Sequence, residues 1–152
     1  MRISTHISYE EATRSATAIR KGIDNTPNNE QLANMTLLAF RVFEPLRAHY
    51  GVPIYITSFF RSTELNKAVN GSSSSQHCKG QAIDLDDTLG GLTNRMMFEY
   101  IKDNLEFDQL IWEFGDMHNP AWVHVSYDGE HNRGIVLRAE RKNGKTKYTR
   151  HE

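Results

Sequence analysis

The sequence lacks several features that would narrow its function at once. Cys78 is the only cysteine in 152 residues, which excludes an internal disulfide and any zinc site built from several thiolates. No long apolar run is present, and the N-terminal stretch carries charges or hydroxyls every few residues, unlike a secretory signal or a membrane anchor. We therefore expect cytoplasmic synthesis without a signal peptide, and no membrane partner.

An excess of charge of one sign is also absent. Lys plus Arg number 18 and Asp plus Glu number 19, so no net positive field attracts phosphate backbones. The basic segment RAERKNGKTKYTR, at 138–150, is the one local exception, and we interpret it as a solvated surface hairpin. We expect no nucleic-acid partner, a single domain over residues 1–152, and a monomer.

Helical patterns fill the first half of the chain and strand patterns most of the second. Ser8 and Glu11 form a capping-box pattern that predicts a helix from about residue 9 to Lys21, and apolar spacing predicts a core helix from Gln31 to about Tyr50. Two shorter helices are predicted in STELNKAV and TNRMMFEYIKDN, and strands in PIYITS, QAIDLD, FDQLIWEF, AWVHVSY, GIVLRAER and TKYT. This order predicts an α+β fold with helices packed on a mainly antiparallel sheet.

The stretch SSSSQHCKGQAIDLDD combines a histidine and an aspartate at a spacing that needs a turn. His77 and Asp84 are seven residues apart, which is about 10.5 Å along a straight helix and about 23 Å along a strand. Two ligands of one zinc ion, each bonded at about 2.0–2.2 Å, must nearly touch. They share a metal only if the chain folds back between them, and Gly80 is placed to permit that turn.

A second histidine follows in the strand WVHVS. Strand alternation puts His124 on the face opposite Val123 and Val125, where an imidazole is available as a third ligand. Two histidines and one aspartate would leave a fourth zinc position for water, as in a catalytic site. Taken singly, His77 is also readable as a loop histidine, Asp84 as a turn-capping residue and His124 as a hydrogen-bonded strand residue.

The ordered pattern S-x-H-x-x-G-x-A-x-D in SQHCKGQAID, followed about forty residues later by W-x-H in WVH, resembles a known family. It is similar to the zinc D-alanyl-D-alanine carboxypeptidases and the related bacteriophage endolysin peptidases, which share the fold of the hedgehog signalling domain. The resemblance spans 53–127 and includes ITSFFRSTELNKAVNGSSSSQH. It implies a Zn²⁺ cofactor, with His77, Asp84 and His124 as its ligands.

The resemblance also implies substrate-binding residues. The family's arginine before the first histidine maps onto Arg61, whose planar guanidinium suits a peptide carboxylate or carbonyl. An ion pair with Glu64 is the structural alternative. Ser75, two residues before His77, corresponds to a serine near substrate, although a turn hydroxyl that bonds its own backbone explains it equally well.

The general base departs from the family pattern. Many relatives have an acid or a histidine three positions before the last ligand, where this chain has Ala121. Glu113 is the best replacement, because Gln109, Ile111 and Glu113 alternate on one strand face and pairing with AWVHVS would bring the carboxylate beside His124. Asp116 and His118, in the intervening loop, are the fallback bases, and a solvent-facing carboxylate is the structural alternative for Glu113.

The resemblance implies a zinc metallopeptidase that hydrolyses a peptide bond in peptidoglycan stem peptides, as a D-Ala-D-Ala carboxypeptidase or an endopeptidase. A bacteriophage endolysin or another wall hydrolase, acting on the wall after release, is the expected setting. Two alternatives stay open: a cytoplasmic D,D-dipeptidase, and a non-catalytic zinc-containing module that binds the cell wall.

Overall fold

A six-stranded sheet and a smaller two-stranded sheet organise the chain. The computed structural model describes residues 1–151. The strands are β1 (Arg2–Ser4), β2 (Ile7–Ser8), β3 (Tyr55–Ser58), β4 (Ala82–Asp86), β5 (Gln109–Glu113), β6 (Trp122–Ser126), β7 (Ile135–Lys142) and β8 (Lys145–Arg150). The helices are α1 (Tyr9–Thr13), α2 (Ala16–Lys21), α3 (Asn29–Leu38), α4 (Glu44–Tyr50), α5 (Thr63–Ala68) and α6 (Asn94–Asn104).

The large sheet has the order β3-β4-β6-β5-β7-β8. All of its neighbouring strands are antiparallel except β5 and β7, which run parallel. Helices pack on a mainly antiparallel sheet, which confirms the predicted α+β class. Within residues 1–151, no helix has both the length and the apolar character needed to cross a membrane.

The prediction of one continuous helix from about residue 9 to Lys21 is wrong. The capping box of Ser8 and Glu11 starts α1 as predicted, but the chain turns extended at Arg14 and a second helix starts after Ser15. Ser15 caps α2 by accepting a hydrogen bond from the Ala18 amide, and Gly22 ends that helix in the left-handed conformation. Two short helices therefore replace the predicted single helix.

The main core helix is present with an irregular centre. Asn28 and Gln31 form a capping box at the start of α3, and a π-helical turn (Ala39–Phe43) connects α3 to α4. Gly51 ends α4 at φ 67° and ψ 16°, as expected of a C-terminal glycine. The prediction of helix over 31–50 is thus correct in extent.

The two faces of the sheet differ in chemistry. The helix-covered face is apolar and fully buried at the centre of the sheet, with Ile83 and Leu85 on β4 and Val123 and Val125 on β6. Burial of each such side chain stabilises the fold by about 1.5–3 kcal/mol. Because strand residues alternate, the polar residues between them point to the other face, where the candidate site lies.

Candidate metal centre and active site

Three side chains from two strands and a short turn converge on one point. Asp84 on β4 pairs directly with His124 on β6, so both side chains leave the same face of the sheet. Asp84 Oδ1 lies 2.9 Å from His124 Nδ1, and Asp84 Oδ2 lies 3.2 Å from His77 Nε2. One ligand atom from each of the three residues lies within 4.8 Å of the others, which is close enough for a single metal ion.

A 3₁₀ turn (Gln76–Lys79) brings His77 back to Asp84. Gly80 ends this turn at φ 73° and ψ 21°, in the left-handed region that glycine adopts without strain. The turn rests on α3 through two side chains: Gln31 donates a hydrogen bond to the carbonyl of Cys78, and Asn34 donates one to the carbonyl of Lys79. The chain therefore folds back between His77 and Asp84.

The orientation of His77 fits a metal ligand. Its Nδ1 lies 2.7 Å from the carbonyl oxygen of Phe59, to which it donates a proton, so the lone pair is on Nε2. That Nε2 atom is buried and has no hydrogen-bond partner within the described part of the chain. A buried lone pair held by a backbone contact on the other ring nitrogen is the arrangement of a metal-binding histidine, and two imidazoles with one carboxylate suit zinc.

The electrostatics of the cluster favour an ionised carboxylate. Burial alone would raise the pKa of Asp84, but its close contacts with the rings of His77 and His124 hold it well below its usual range. Burial lowers the pKa of His77, which keeps that ring neutral as metal binding requires. Burial would also lower the pKa of His124, but the hydrogen bond to Asp84 outweighs it and raises that pKa.

Glu113 lies on the same sheet face as the three groups. In the pairing of β5 with β6, Ile111 stands opposite His124 and Glu113 opposite Trp122. The Glu113 carboxyl is buried and lines a cavity of about 620 Å³ that also contains the cluster. Burial raises the pKa of Glu113 to about 7, an effect that the positive charge of His124 reduces and the negative charge of Asp84 increases. A carboxyl with this pKa can gain and lose a proton at neutral pH.

Arg61 and Ser75 line the same cavity. Arg61 is held by Ser58 and Asn66, to which Nε and Nη1 donate hydrogen bonds of 3.2 and 3.0 Å, and its Nη2 lies 3.6 Å from Asp84 Oδ2. Its ion-pair partner is thus Asp84 rather than Glu64. The Ser75 hydroxyl accepts a hydrogen bond from the His77 amide, so this serine supports the turn as well as lining the cavity.

The fallback bases lie elsewhere. Asp116 and His118 are exposed in the loop between β5 and β6, and neither lines the cavity that contains the cluster. Asp116 Oδ1 accepts hydrogen bonds from the amides of His118 and Asn119, which lowers its pKa and fixes the loop turn. The structure therefore separates these two side chains from Glu113.

The cavity has one wall that sequence reasoning left without a role. Leu137 and Arg141 on β7 and Thr146 and Tyr148 on β8 line it, although the tail was expected only to form a solvated hairpin. Burial raises the pKa of the Tyr148 phenol, and the negative charges of Glu113 and Asp84 raise it further. The alternation of GIVLRAER indicates which of its residues share a face of the strand, but only the strand order shows which residues lie beside them.

Comparison with models of protein families matches residues 5–126 to the family described as Peptidase M15. The matched segment contains His77, Asp84 and His124, together with Arg61 and Glu113, and it ends at the last residue of β6. No curated protein matches the chain. The β7–β8 hairpin lies outside the matched segment.

Proposed function

The chain belongs to the M15 peptidase family, a family of zinc metallopeptidases that act on peptidoglycan peptides, and we propose that it cleaves an internal bond of the stem peptide. The observation that carries the proposal is that two cavities meet at Asp84, one of the three residues of the cluster with His77 and His124. With this substrate, the protein would act as a cell-wall hydrolase of the bacteriophage endolysin type.

His77, Asp84 and His124 are the proposed zinc ligands. Support comes from the proximity of their ligand atoms and from the buried, unpartnered Nε2 of His77. Bound zinc polarises a carbonyl and lowers the pKa of water to about 7. The Phe59 carbonyl fixes the ring of His77, so the site needs little rearrangement to receive the ion.

Glu113 is the proposed general base. Its carboxylate takes a proton from the attacking water and gives it to the leaving amine, which requires a pKa close to the working pH. Burial supplies that pKa, and the shared sheet face supplies the position beside His124. In this role Glu113 replaces the acid or histidine that many relatives have at the position of Ala121.

Arg61 is the proposed group that binds a substrate carbonyl or carboxylate. Its contacts with Ser58 and Asn66 leave further N–H groups of the guanidinium free to donate, and they hold the side chain in place before substrate arrives. Ser75, two residues before His77, is a second proposed substrate contact because it lines the same cavity.

The shape of the groove favours an internal bond over a terminal one. A second cavity of about 630 Å³ shares Arg61, Val69, Asp84 and Trp122 with the first and continues past Arg14. Asp84 therefore lies where two open spaces meet, and this leaves room for peptide on both sides of the reacting bond. A carboxypeptidase needs room for only one terminal residue beyond that bond.

Metal analysis combined with muropeptide profiling of digested sacculi tests the proposal. We expect one zinc per chain and new stem-peptide fragments from the wild type, and neither from His77→Ala. Zinc-depleted and zinc-reloaded wild type repeat the comparison without a mutation, in case the buried substitution disturbs folding. Release of a single terminal D-alanine would instead indicate a carboxypeptidase, cleavage of free D-Ala-D-Ala alone a dipeptidase, and zinc without any cleavage a binding module.

A further inference from the structure

The β7–β8 hairpin forms one wall of the cleft, although the family match ends before it. Four of its residues line the cavity that contains the metal cluster: Leu137, Arg141, Thr146 and Tyr148. The hairpin is basic, with six Lys or Arg and one acid between 135 and 150, whereas the whole chain carries a net charge of −1. A strongly positive element therefore borders a cleft whose buried groups include the carboxylates of Asp84 and Glu113.

Strand register places Tyr148 on the face of the catalytic groups. Glu113 pairs with Ala139 on β7, and Ala139 pairs with Tyr148 on β8. Directly paired residues point to the same face, so Tyr148 stands two strands, or about 10 Å, from Glu113. The residue between them is Ala139, which is fully buried and small, so β7 places no bulky side chain between Glu113 and Tyr148 on this face.

Arg141 follows on the same face, two residues after Ala139. It pairs with Thr146, and its guanidinium carbon lies 5.8 Å from the centre of the Phe114 ring. Arg141 has no ion pair with any residue between 1 and 151, in contrast to Arg61 and Arg133. Phe114 orients the guanidinium, while its charge has no partner among these residues.

We propose that Arg141 and Tyr148 form a subsite that binds a carboxylate-bearing residue of the substrate peptide, on the side of the cleft opposite Arg14. The guanidinium supplies a two-pronged donor for the carboxylate, and the phenol supplies a further O–H donor. The inference rests on the proposed peptidase function, because it assigns the substrate class of that same cleft. It predicts a preference for acidic stem peptides over their amidated forms.

Paired peptide substrates test the subsite in the zinc-loaded protein. Two synthetic stem peptides are compared that differ only in a free or an amidated side-chain carboxylate. For Arg141→Gln we expect KM for the acidic peptide to rise about 10-fold or more, with kcat and zinc content unchanged and no effect on the amidated peptide. Tyr148→Phe should raise the same KM by about 2- to 10-fold.

Lys147→Gln is the matched control, because it removes one positive charge from the same hairpin; Lys147 pairs with Glu140 and so lies on the opposite face of the sheet. It should leave both KM values unchanged. If Arg141→Gln behaves like Lys147→Gln, or raises KM for both peptides equally, the subsite is refuted while the peptidase function stands.

Calorimetric binding of the two uncleaved peptides to Glu113→Gln separates the other cases. An Arg141-dependent preference for the acidic peptide, without cleavage by the wild type, would support the subsite and refute the peptidase function. Absence of both binding and cleavage would overturn both proposals.

Discussion

The close contact between Gly80 and α3 gives the sharpest test of how the fold builds the metal centre. A β-carbon at Gly80 would lie 2.5 Å from the backbone oxygen of Gln31 and 2.7 Å from Met35 Cγ. The Met35 side chain is fully buried in the core, and the oxygen belongs to the α3 backbone, so neither has space to move aside. Gly80→Ala must therefore push the turn that carries His77 away from its support.

The expected cost has two separable parts. A residue with a β-carbon at φ 73° loses about 1–2 kcal/mol relative to glycine, and the overlap with α3 adds about 1–3 kcal/mol. Gly51→Ala provides the control, because Gly51 has nearly the same backbone angles and nothing within 4 Å of the added carbon. Only the conformational part applies there, so Gly80→Ala should lose about 1–3 kcal/mol more than Gly51→Ala.

Urea unfolding of both variants measures this difference, and zinc titration measures its consequence for the site. A turn displaced by a few tenths of an ångström no longer places His77 at bonding distance, so zinc affinity should fall about 10-fold or more in Gly80→Ala and stay unchanged in Gly51→Ala. Equal losses of unfolding free energy in the two variants, or undiminished zinc affinity in Gly80→Ala, would refute the claim that this contact holds the metal loop.

Three further outcomes are expected. Glu113→Gln should retain zinc and lower kcat about 10²- to 10⁴-fold, because an amide accepts no proton, whereas Asp116→Asn in the neighbouring loop should not; undiminished turnover in Glu113→Gln would remove the proposed base. Asp108 has its pKa lowered to about 2, chiefly by hydrogen bonds from Arg133, so its stabilisation is complete above about pH 4 and disappears as pH falls through about 2. The unfolding free energy of Asp108→Asn should be about 1 kcal/mol below wild type at pH 7, after allowance for the exposure of Arg133, and the gap should close on acidification; a pH-independent gap would contradict this. Removal of zinc by a chelator should lower the Tm of the wild type but not of His77→Ala, since zinc at 100 times its Kd adds about 2.7 kcal/mol, and an unchanged wild-type Tm would contradict the metal centre.

Local rules predicted most elements because the physical causes of those elements are local. The capping box at Ser8, the glycine stops at Gly22 and Gly51, and the alternation of WVHVS each depend on a few neighbouring residues. The break after α1 depends on distant ones. Arg14 donates a 3.0 Å hydrogen bond to the carbonyl of Ile56 on β3, a contact that no helical periodicity reveals.

The same distinction applies to the candidate site. The spacing of His77 and Asp84 required a turn. The alternation of side chains in QLIWEF predicted that Glu113 shares a face with His124, because β5 and β6 are consecutive antiparallel strands. Fold-back and register of neighbouring segments are therefore accessible from sequence. The assignment of catalytic roles to these residues stays a prediction that metal analysis and kinetics must test.

Strand order could not be predicted from the sequence, and it determines that β7 and β8 form one wall of the cleft. The alternation of GIVLRAER fixes which residues share a face, but it does not show that β7 lies parallel to β5. That parallel pairing sets Ala139 beside Glu113 and, through β8, Tyr148 beyond it. An antiparallel β7, or a different neighbour for β5, would send Arg141 and Tyr148 away from the metal cluster with no change in the local pattern. The substrate preference proposed for the hairpin is thus a consequence of topology, because the long-range pairing makes a basic surface segment part of the cleft.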